Sequence, residues 1–189
     1  MTSFYTEEEL AALGLKAYGR DVRISRKASL YGAERISVGD HVRIDDFCLL
    51  SGSVTLGSYV HLAAGALLFG GDAGVTVGDY STLSSRCAVY ALTDDYSGAH
   101  MTNPTVPEAY TGVTQAPVSI GRHVIVGTGS TVLPGVTLGE GCAVGAMTLL
   151  RESTQPWGVY YGVPAVRRAE RSRELLRLCE KLEKERSES

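Results

Sequence analysis

Ile120, Val126, Val132, Leu138, Val144 and Leu150 follow one another at intervals of six, and no other feature of this chain restricts its fold as strongly. Gly121, Gly127, Gly139 and Gly145 each come directly after one of those aliphatics, so the unit reads aliphatic-Gly-x-x-x-x. A period of six fits neither the 3.6 of a helix nor the alternation of a strand. It is the period of a parallel β-helix, a prism with three short flat faces per coil. The aliphatic points into the prism, and the small residue after it lets the chain turn a corner.

The same ruler reaches back along the chain. Val38, Ile44, Leu50, Leu56, Leu62 and Leu68 keep the spacing, and Leu83 and Val89 resume it after Val77. Nine residues separate Leu68 from Val77, so a corner bulge of three extra residues is expected near Gly70 to Gly74. Ile24 and Leu30 begin the count, which a two-residue excess between Ala33 and Ile36 delays. Three hexads make one coil, so residues 18 apart stack at the strand spacing of ~4.8 Å. Val38 should lie beneath Leu56, and Ile120 beneath Leu138.

Between Val89 and Ile120 the count is lost for 31 residues, of which six belong to the hexad itself. The remaining 25 or so must leave the prism as a loop, about 95–117. It carries Pro104, Pro107 and Pro117 with Tyr96, His100, Asn103 and Tyr110. Loops of that length in a compact domain are uncommon and tend to bind something. The prolines and tyrosines favour an ordered arm; a tolerated surface insertion is the competing reading.

Three units are therefore expected: an N-terminal helical cap at 1–22, the β-helix at 23–155 and a closing tail at 156–189. Thr6 and Glu9 form a capping box, and Gly14 stands at a C-terminal stop, which predicts a short helix over about 7–13 that plugs one end of the prism. From Arg167 onward the residues are good helix formers, with Leu175, Leu178, Cys179 and Leu182 on one face. Such a helix could dock on the core, bridge through solvent or pack between subunits. Trp157 to Ala165 leaves the six-residue pattern and reads as turns.

Composition excludes several classes. The net charge of −3, with 18 basic and 21 acidic residues, provides no electrostatic footprint for nucleic acid. Cys48, Cys87, Cys142 and Cys179 are scattered without a C-x-x-C, which argues against a zinc site and against a disulfide framework. The N-terminal Glu7-Glu8-Glu9 run is unlike a basic leader, and no apolar run approaches the roughly 20 residues of a membrane span. A cytoplasmic protein with no membrane partner is expected. His41 and His123 share a slot three coils apart, roughly 14 Å at the strand spacing, so they do not converge on a metal.

The hexads, the extruded loop and the Gly162-Val163-Pro164-Ala165 tail together resemble the left-handed β-helix acyltransferases. More narrowly, Phe4-Tyr5, "ISRKAS" at 24–29, "VRIDDFCLLSG" at 42–52, "DDYSG" at 94–98 and "TNPTVP" at 102–107 resemble the members acting on nucleotide-linked 4-amino-4,6-dideoxy sugars. The resemblance implies an all-β solenoid, a left-handed parallel β-helix with an N-terminal helix, an extruded loop and a C-terminal α-helix. It also implies a homotrimer that binds acetyl-CoA between adjacent prisms. The expected partners are acetyl-CoA as co-substrate and a nucleotide-linked amino sugar, the nucleotide dTDP, in the biosynthesis of cell-surface polysaccharide such as O-antigen.

The residues carry chemistry consistent with that. Thr128 and Ala146 occupy the same slot 18 residues apart beside Gly127 and Gly145, leaving a column along which a pantetheine arm can lie like an added strand. By resemblance Thr128, Ala146 and Arg151 hold CoA. A basic residue usually follows the Gly-Val-Pro-Ala motif to meet phosphate; here Val166 intervenes and Arg167 and Arg168 come next.

Where hydroxyl acetyltransferases of this fold place a histidine base, this chain has Asp94. A sugar hydroxyl requires a base with a pKa near the working pH, which an ordinary aspartate at ~3.9 does not supply. A deprotonated amine attacks a thioester without such help, so Asp94 tilts the reading towards N-acylation. His61, at a corner one coil earlier, is the rival base. Asp95, Tyr96 and Asn103 of the loop are candidate acceptor contacts. O-acetylation of a sugar hydroxyl is the alternative activity, and a non-catalytic solenoid the alternative class.

Overall fold

The computed structural model describes residues 3–187; residues 1, 2, 188 and 189, within the terminal units expected above, lie outside the described residues. Three columns of inward side chains build the core. On the first face Val38, Leu56, Val77, Ile120 and Leu138 pair coil on coil. On the second the column is Ile24, Ile44, Leu62, Leu83, Val126 and Val144. On the third it is Leu30, Leu50, Leu68, Val89, Val132 and Leu150. All strand pairs in these columns are parallel, and most of the side chains are wholly removed from water. Like stacks on like because the aliphatic recurs once per hexad and the coil repeats every third hexad.

The irregularities in the count become specific structures. The two-residue excess is a 3-10 turn, Ala33–Arg35. The three-residue excess is absorbed inside the strand Leu67–Val77, which runs through a corner beside Leu49–Leu56 with shifts of register around Gly52. Those two long strands join the first and third faces into one ten-stranded sheet. Ser81 with Val124, and Ser85 with Thr128, meet on consecutive coils although 43 residues apart. An unbroken coil such as Ser130 to Thr148 takes 18, so 25 residues leave the prism. The departing loop is clamped at its base by the antiparallel pair Leu92–Thr93 and Thr114–Gln115.

The N-terminal helix α1, Glu7–Ala12, has the capping box, with Thr6 and Glu9 satisfying each other's backbone N–H. Leu10 enters the core from it. The tail departs from expectation in two places. Gly158–Tyr161 is a further rung, pairing in parallel with Ala143–Val144 and bringing Tyr160 above Val144. The helix expected from Arg167 onward does not start there: Val166–Glu170 is a strand antiparallel to that rung. An open sheet edge with unpaired N–H and C=O groups outweighs the weak helix propensity of a short polar run. The C-terminal helix α2 begins only at Leu175 and runs Leu175–Ser187.

A ladder of rings explains where α2 docks. At the corner between the first and second faces, His41, Tyr59, Tyr80, His123 and Trp157 all adopt left-handed backbone, with φ from 55 to 59. The first four rings stack at 4.7, 5.0 and 5.1 Å, and Trp157 ends the ladder tilted by 32°, 6.5 Å from His123. Trp157 reaches His123 only because Gly141 intervenes; a Cβ there would lie 2.4 Å from the indole. Helix α2 lies against this ladder. The Tyr80 hydroxyl donates to Glu183 at 3.1 Å, Arg122 pairs with the same carboxylate, and Arg186 stands over Tyr59. Leu175, Leu178 and Leu182 face Tyr80 and His123 across a small cavity.

His123 makes stability depend on pH. Its side chain is buried in the stack, and burial, reinforced by the neighbouring Arg122 and Arg171, pushes its pKa below the ordinary histidine value. The unfolded chain binds the proton more readily, so stability should fall as pH drops below ~6.5 and level off beneath the folded-state pKa. His123→Phe keeps a stackable ring without a proton site. The loss of Tm between pH 7.5 and 5.5 should shrink in that variant, measured by calorimetry against the wild type.

The cysteines serve the corners. Cys48 and Cys87 are buried free thiols that donate to Ala63 O at 3.3 Å and Gly127 O at 3.2 Å. Burial raises the pKa of both, which keeps them protonated and unreactive.

Candidate active site

The arching loop and the third face enclose a cavity of about 1090 Å³. Outward residues of the third face form its floor. Phe69 and Tyr90, register partners, stack at 4.9 Å with planes 8° apart, and Thr131, Leu133 and Pro134 continue the floor on the next coil. Asp94, Tyr96, Asn103, Val106 and Glu108 face it from the loop. Among the described residues that line it, Asp94 and Glu108 carry the only formal charges, and no histidine, lysine or arginine is present.

The two adjacent aspartates at the loop's entry behave differently. Asp95 is consumed by its own turn. It accepts from Ser97 N at 2.7 Å, from His100 N at 2.9 Å and from His100 Nδ1 at 3.2 Å, and these bonds hold its pKa far below the usual carboxylate range. Asp94 is half-buried at the cavity, and among the described residues no hydrogen bond or ion pair occupies its carboxylate. Asn103, at φ 79, accepts from Thr105 N and Oγ1 and shapes the turn that forms the cavity's far wall. Tyr96 is 94% exposed at the rim. Asp95→Ala should therefore loosen the loop, seen as faster proteolytic cleavage between residues 95 and 117, while the melting of the prism stays unchanged.

The column beside the corner of the second and third faces is continuous. Met147 N donates to Thr128 O, Gly129 N to Ser85 O, Arg86 N to Ala64 O and Gly65 N to Asp46 O, all between 2.8 and 3.1 Å. Thr128 and Ala146 are thus neighbours on consecutive coils and both are exposed, as their shared slot predicts. Their backbone is less open than the spacing implies, since the Thr128 carbonyl is already bonded and its Oγ1 donates to Ser85 O at 2.6 Å. A Cβ on Gly127 would come 2.5 Å from Ala146 N, and one on Gly145 would strike Tyr161, so close packing of the coils demands glycine there. Arg151 is the coil neighbour of Leu133 and has no carboxylate partner among the described residues. Arg168 is likewise exposed, whereas Arg167 is engaged by Glu170.

His61 is separated from this cavity. It lies on the second face, paired with Arg43 below and Thr82 above, and its Nε2 is 2.8 Å from Asp45 Oδ2. Among the described residues, none of the second face lines the cavity. The sequence reading placed His61 and Asp94 at one cleft; within one chain the prism's third face intervenes. It also missed Phe69, Tyr90 and Leu133 as a single outward column. Their position directly after the inward Leu68, Val89 and Val132 is the signal that marks them.

Residues 117–152 match the bacterial transferase hexapeptide family (six repeats). Over 179 residues, 93% of each chain, the protein is 43% identical to the dTDP-4-amino-4,6-dideoxy-D-glucose acyltransferase of Escherichia coli. The chain belongs to the hexapeptide-repeat transferases and is an acyltransferase of that family. AntD, an N-acyltransferase from Bacillus cereus, has the same left-handed β-helix. In complex with dTDP and 3-hydroxybutyryl-CoA it superposes with a TM-score of 0.96 at 45% identity, covering 99% of this chain and 100% of AntD. A variant of AntD with one serine replaced by cysteine, in complex with dTDP-4-amino-4,6-dideoxyglucose and coenzyme A, gives a TM-score of 0.95 at 45% identity over 98% and 99% of the two chains. WbbJ of Escherichia coli K12, provisionally named a lipopolysaccharide biosynthesis O-acetyl transferase, is 30% identical over 151 residues, 75% of this chain and 72% of WbbJ.

Proposed function

We propose that this enzyme transfers an acyl group from a CoA thioester to the 4-amine of dTDP-4-amino-4,6-dideoxyglucose. The observation that carries the reading is the cavity beside Asp94. It has an aromatic floor, an uncommitted carboxylate and a second carboxylate at Glu108, and no lining residue of the type that activates a hydroxyl. A carboxylate pair attracts an ammonium sugar, and Asp94 orients the amine once its proton is gone. The lone pair then attacks the thioester carbonyl, the C–S bond breaks, and CoA leaves as thiol.

CoA runs along the corner column. Arg151 and Arg168, with Arg167 behind them, meet its phosphates, and Ala146, Gly145, Thr128 and Gly127 guide the pantetheine. Tyr96 and Asn103 bound the acceptor, and Asp95 holds the loop that presents them. The enzyme acts as a homotrimer in the cytoplasm, in the assembly of cell-surface polysaccharide. The identity to AntD and to the Escherichia coli acyltransferase over nearly the whole chain supports this reading, as does the absence of a helix long and apolar enough to cross a membrane among the described residues.

The test is thiol release with acetyl-CoA or 3-hydroxybutyryl-CoA as donor and dTDP-4-amino-4,6-dideoxyglucose or a simple galactoside as acceptor. Turnover is expected with the amine and not with the galactoside. Turnover of the galactoside alone would replace N-acylation by O-acylation, and no binding of CoA would leave a scaffold. The better of the two donors identifies the acyl chain.

A further inference from the structure

The chain adds residues to its six-residue count at one corner above all, where the third face passes into the first. The 3-10 turn Ala33–Arg35, the bulge within the strand Leu67–Val77 and the loop itself all lie there. Side chains join the three in series. Arg35 donates to Gly71 O at 3.0 Å and pairs with Asp72 at 2.8 Å, two coils above it. Gly52, on the coil between, has no side chain to obstruct that reach. From the returning limb of the loop, Gln115 Oε1 then accepts from Asp72 N at 2.7 Å and from Ala73 N at 3.3 Å.

Little else fixes the loop in place. Its antiparallel pair, Leu92–Thr93 with Thr114–Gln115, ties one limb to the other and not to the prism. On the outgoing limb Ala91 is the last residue to donate to the coil beneath, at 2.8 Å from Phe69 O. Among the described residues, the two bonds to Gln115 are the only hydrogen bonds or ion pairs that join 92–115 to the prism. The seat suits that carbonyl. Gly71 has φ 52, and a Cβ on it would lie 2.6 Å from Gln115 Oε1 and 3.4 Å from Leu92 Cδ2, so glycine lets both limbs close on the bulge. Successive N–H groups aimed at one oxygen form a nest that accepts a carbonyl or a carboxylate alike. Asp94 comes directly after the paired Thr93, so the seating of the loop's base decides where its carboxylate stands.

We propose that Gln115 is a positioning residue for acyl transfer, holding the base of the loop on the bulge so that Asp94 meets the acceptor's amine. This rests on the N-acyltransferase reading above. Gln115 does not line the cavity and acts through Asp94. A side chain as exposed as this one adds little to stability, so its loss displaces the carboxylate while the prism stands. Misplacing a reacting group by about 1 Å costs up to about 100-fold in rate.

Three variants of the intact enzyme test this. Q115M keeps the length of the side chain and removes the acceptor oxygen, whereas Q115E keeps that oxygen in place. In Q115M, kcat with the amino sugar should fall about 10- to 100-fold while KM for the CoA donor and Tm stay at wild-type values. The amides of Asp72 and Ala73 should lose protection in hydrogen exchange. Q115E should restore that protection and most of the wild-type kcat. G71A, whose methyl group would displace the Gln115 carbonyl, should lower kcat as Q115M does, and the two changes together should be no worse than either alone.

Wild-type kcat in Q115M with both amides unprotected would overturn the proposal, because the tie would be broken without consequence. So would an equal rise in KM for both substrates with a lower Tm, the mark of general loosening. A wild type that acylates no amine removes the functional reading and this role with it. A wild type that does, matched by Q115M, removes only the role of Gln115.

Discussion

Asp94→Asn should reduce kcat for the amino sugar by about 10² to 10³-fold while leaving the melting temperature within experimental error. The kinetic effect follows from geometry and charge together. Asp94 is the half-buried carboxylate at the mouth of the cavity, and among the described residues nothing else competes for its oxygens. Asparagine keeps the shape but presents an amide where a carboxylate would draw in the ammonium form and hold the free amine. The unchanged stability follows from the same lack of partners: a group that supports no other residue takes nothing from the fold when altered. Steady-state thiol release and a thermal melt on one preparation check both halves. Retention of full activity would remove Asp94 from the mechanism, and a large fall in Tm would make it structural. Asp95→Asn is the contrast, since that carboxylate is tied to Ser97 and His100.

Gly39→Val should cost about 3 kcal/mol or more and lower Tm by roughly 6 to 12 °C. Gly39 sits where the first face turns its corner, and a Cβ there would lie 2.6 Å from the carbonyl carbon of Gly57 and 2.7 Å from Ser58 N. Those are backbone atoms of the next coil, so no side chain can rotate aside. The coils would have to separate, and separation breaks the parallel ladder on all three faces at once. Gly57, Gly78, Gly121 and Gly139 occupy the same slot on successive coils with similar close approaches. Thr55→Val, on the outward side of the same face, is the control and should change stability by no more than about 0.5 kcal/mol. Chemical denaturation of both variants measures the difference. A Gly39→Val protein as stable as wild type would show that the coil spacing is softer than the packing requires.

The prism was legible in the sequence to the coil. Because an inward aliphatic recurs once per hexad, Ile120 could be placed beneath Leu138 before any coordinate was known, and the register pairs are those expected. The breaks in the count were legible too, since a coil cannot hold extra residues without expelling them. The loop beyond Val89 had to leave, and 25 residues do. The helix formers from Arg167 to Glu170 form a strand instead, because their propensity is overridden by the open edge of Gly158–Tyr161, which only the folded tail creates.

The site divided along the same line. Periodicity placed Thr128 beside Ala146, and the aspartate in the position of a hydroxyl transferase's base pointed to an amine acceptor. Periodicity could not tell Asp94 from Asp95, because the distinction lies in which carboxylate the loop's own amides capture. Nor could it find Asp45 behind His61, or the wall of prism between His61 and Asp94. A repeating hydrophobic spacing dictates which side of a strand faces the core. What meets on the outside depends on how an unpatterned loop folds back and where the faces turn, and that only the tertiary structure decided.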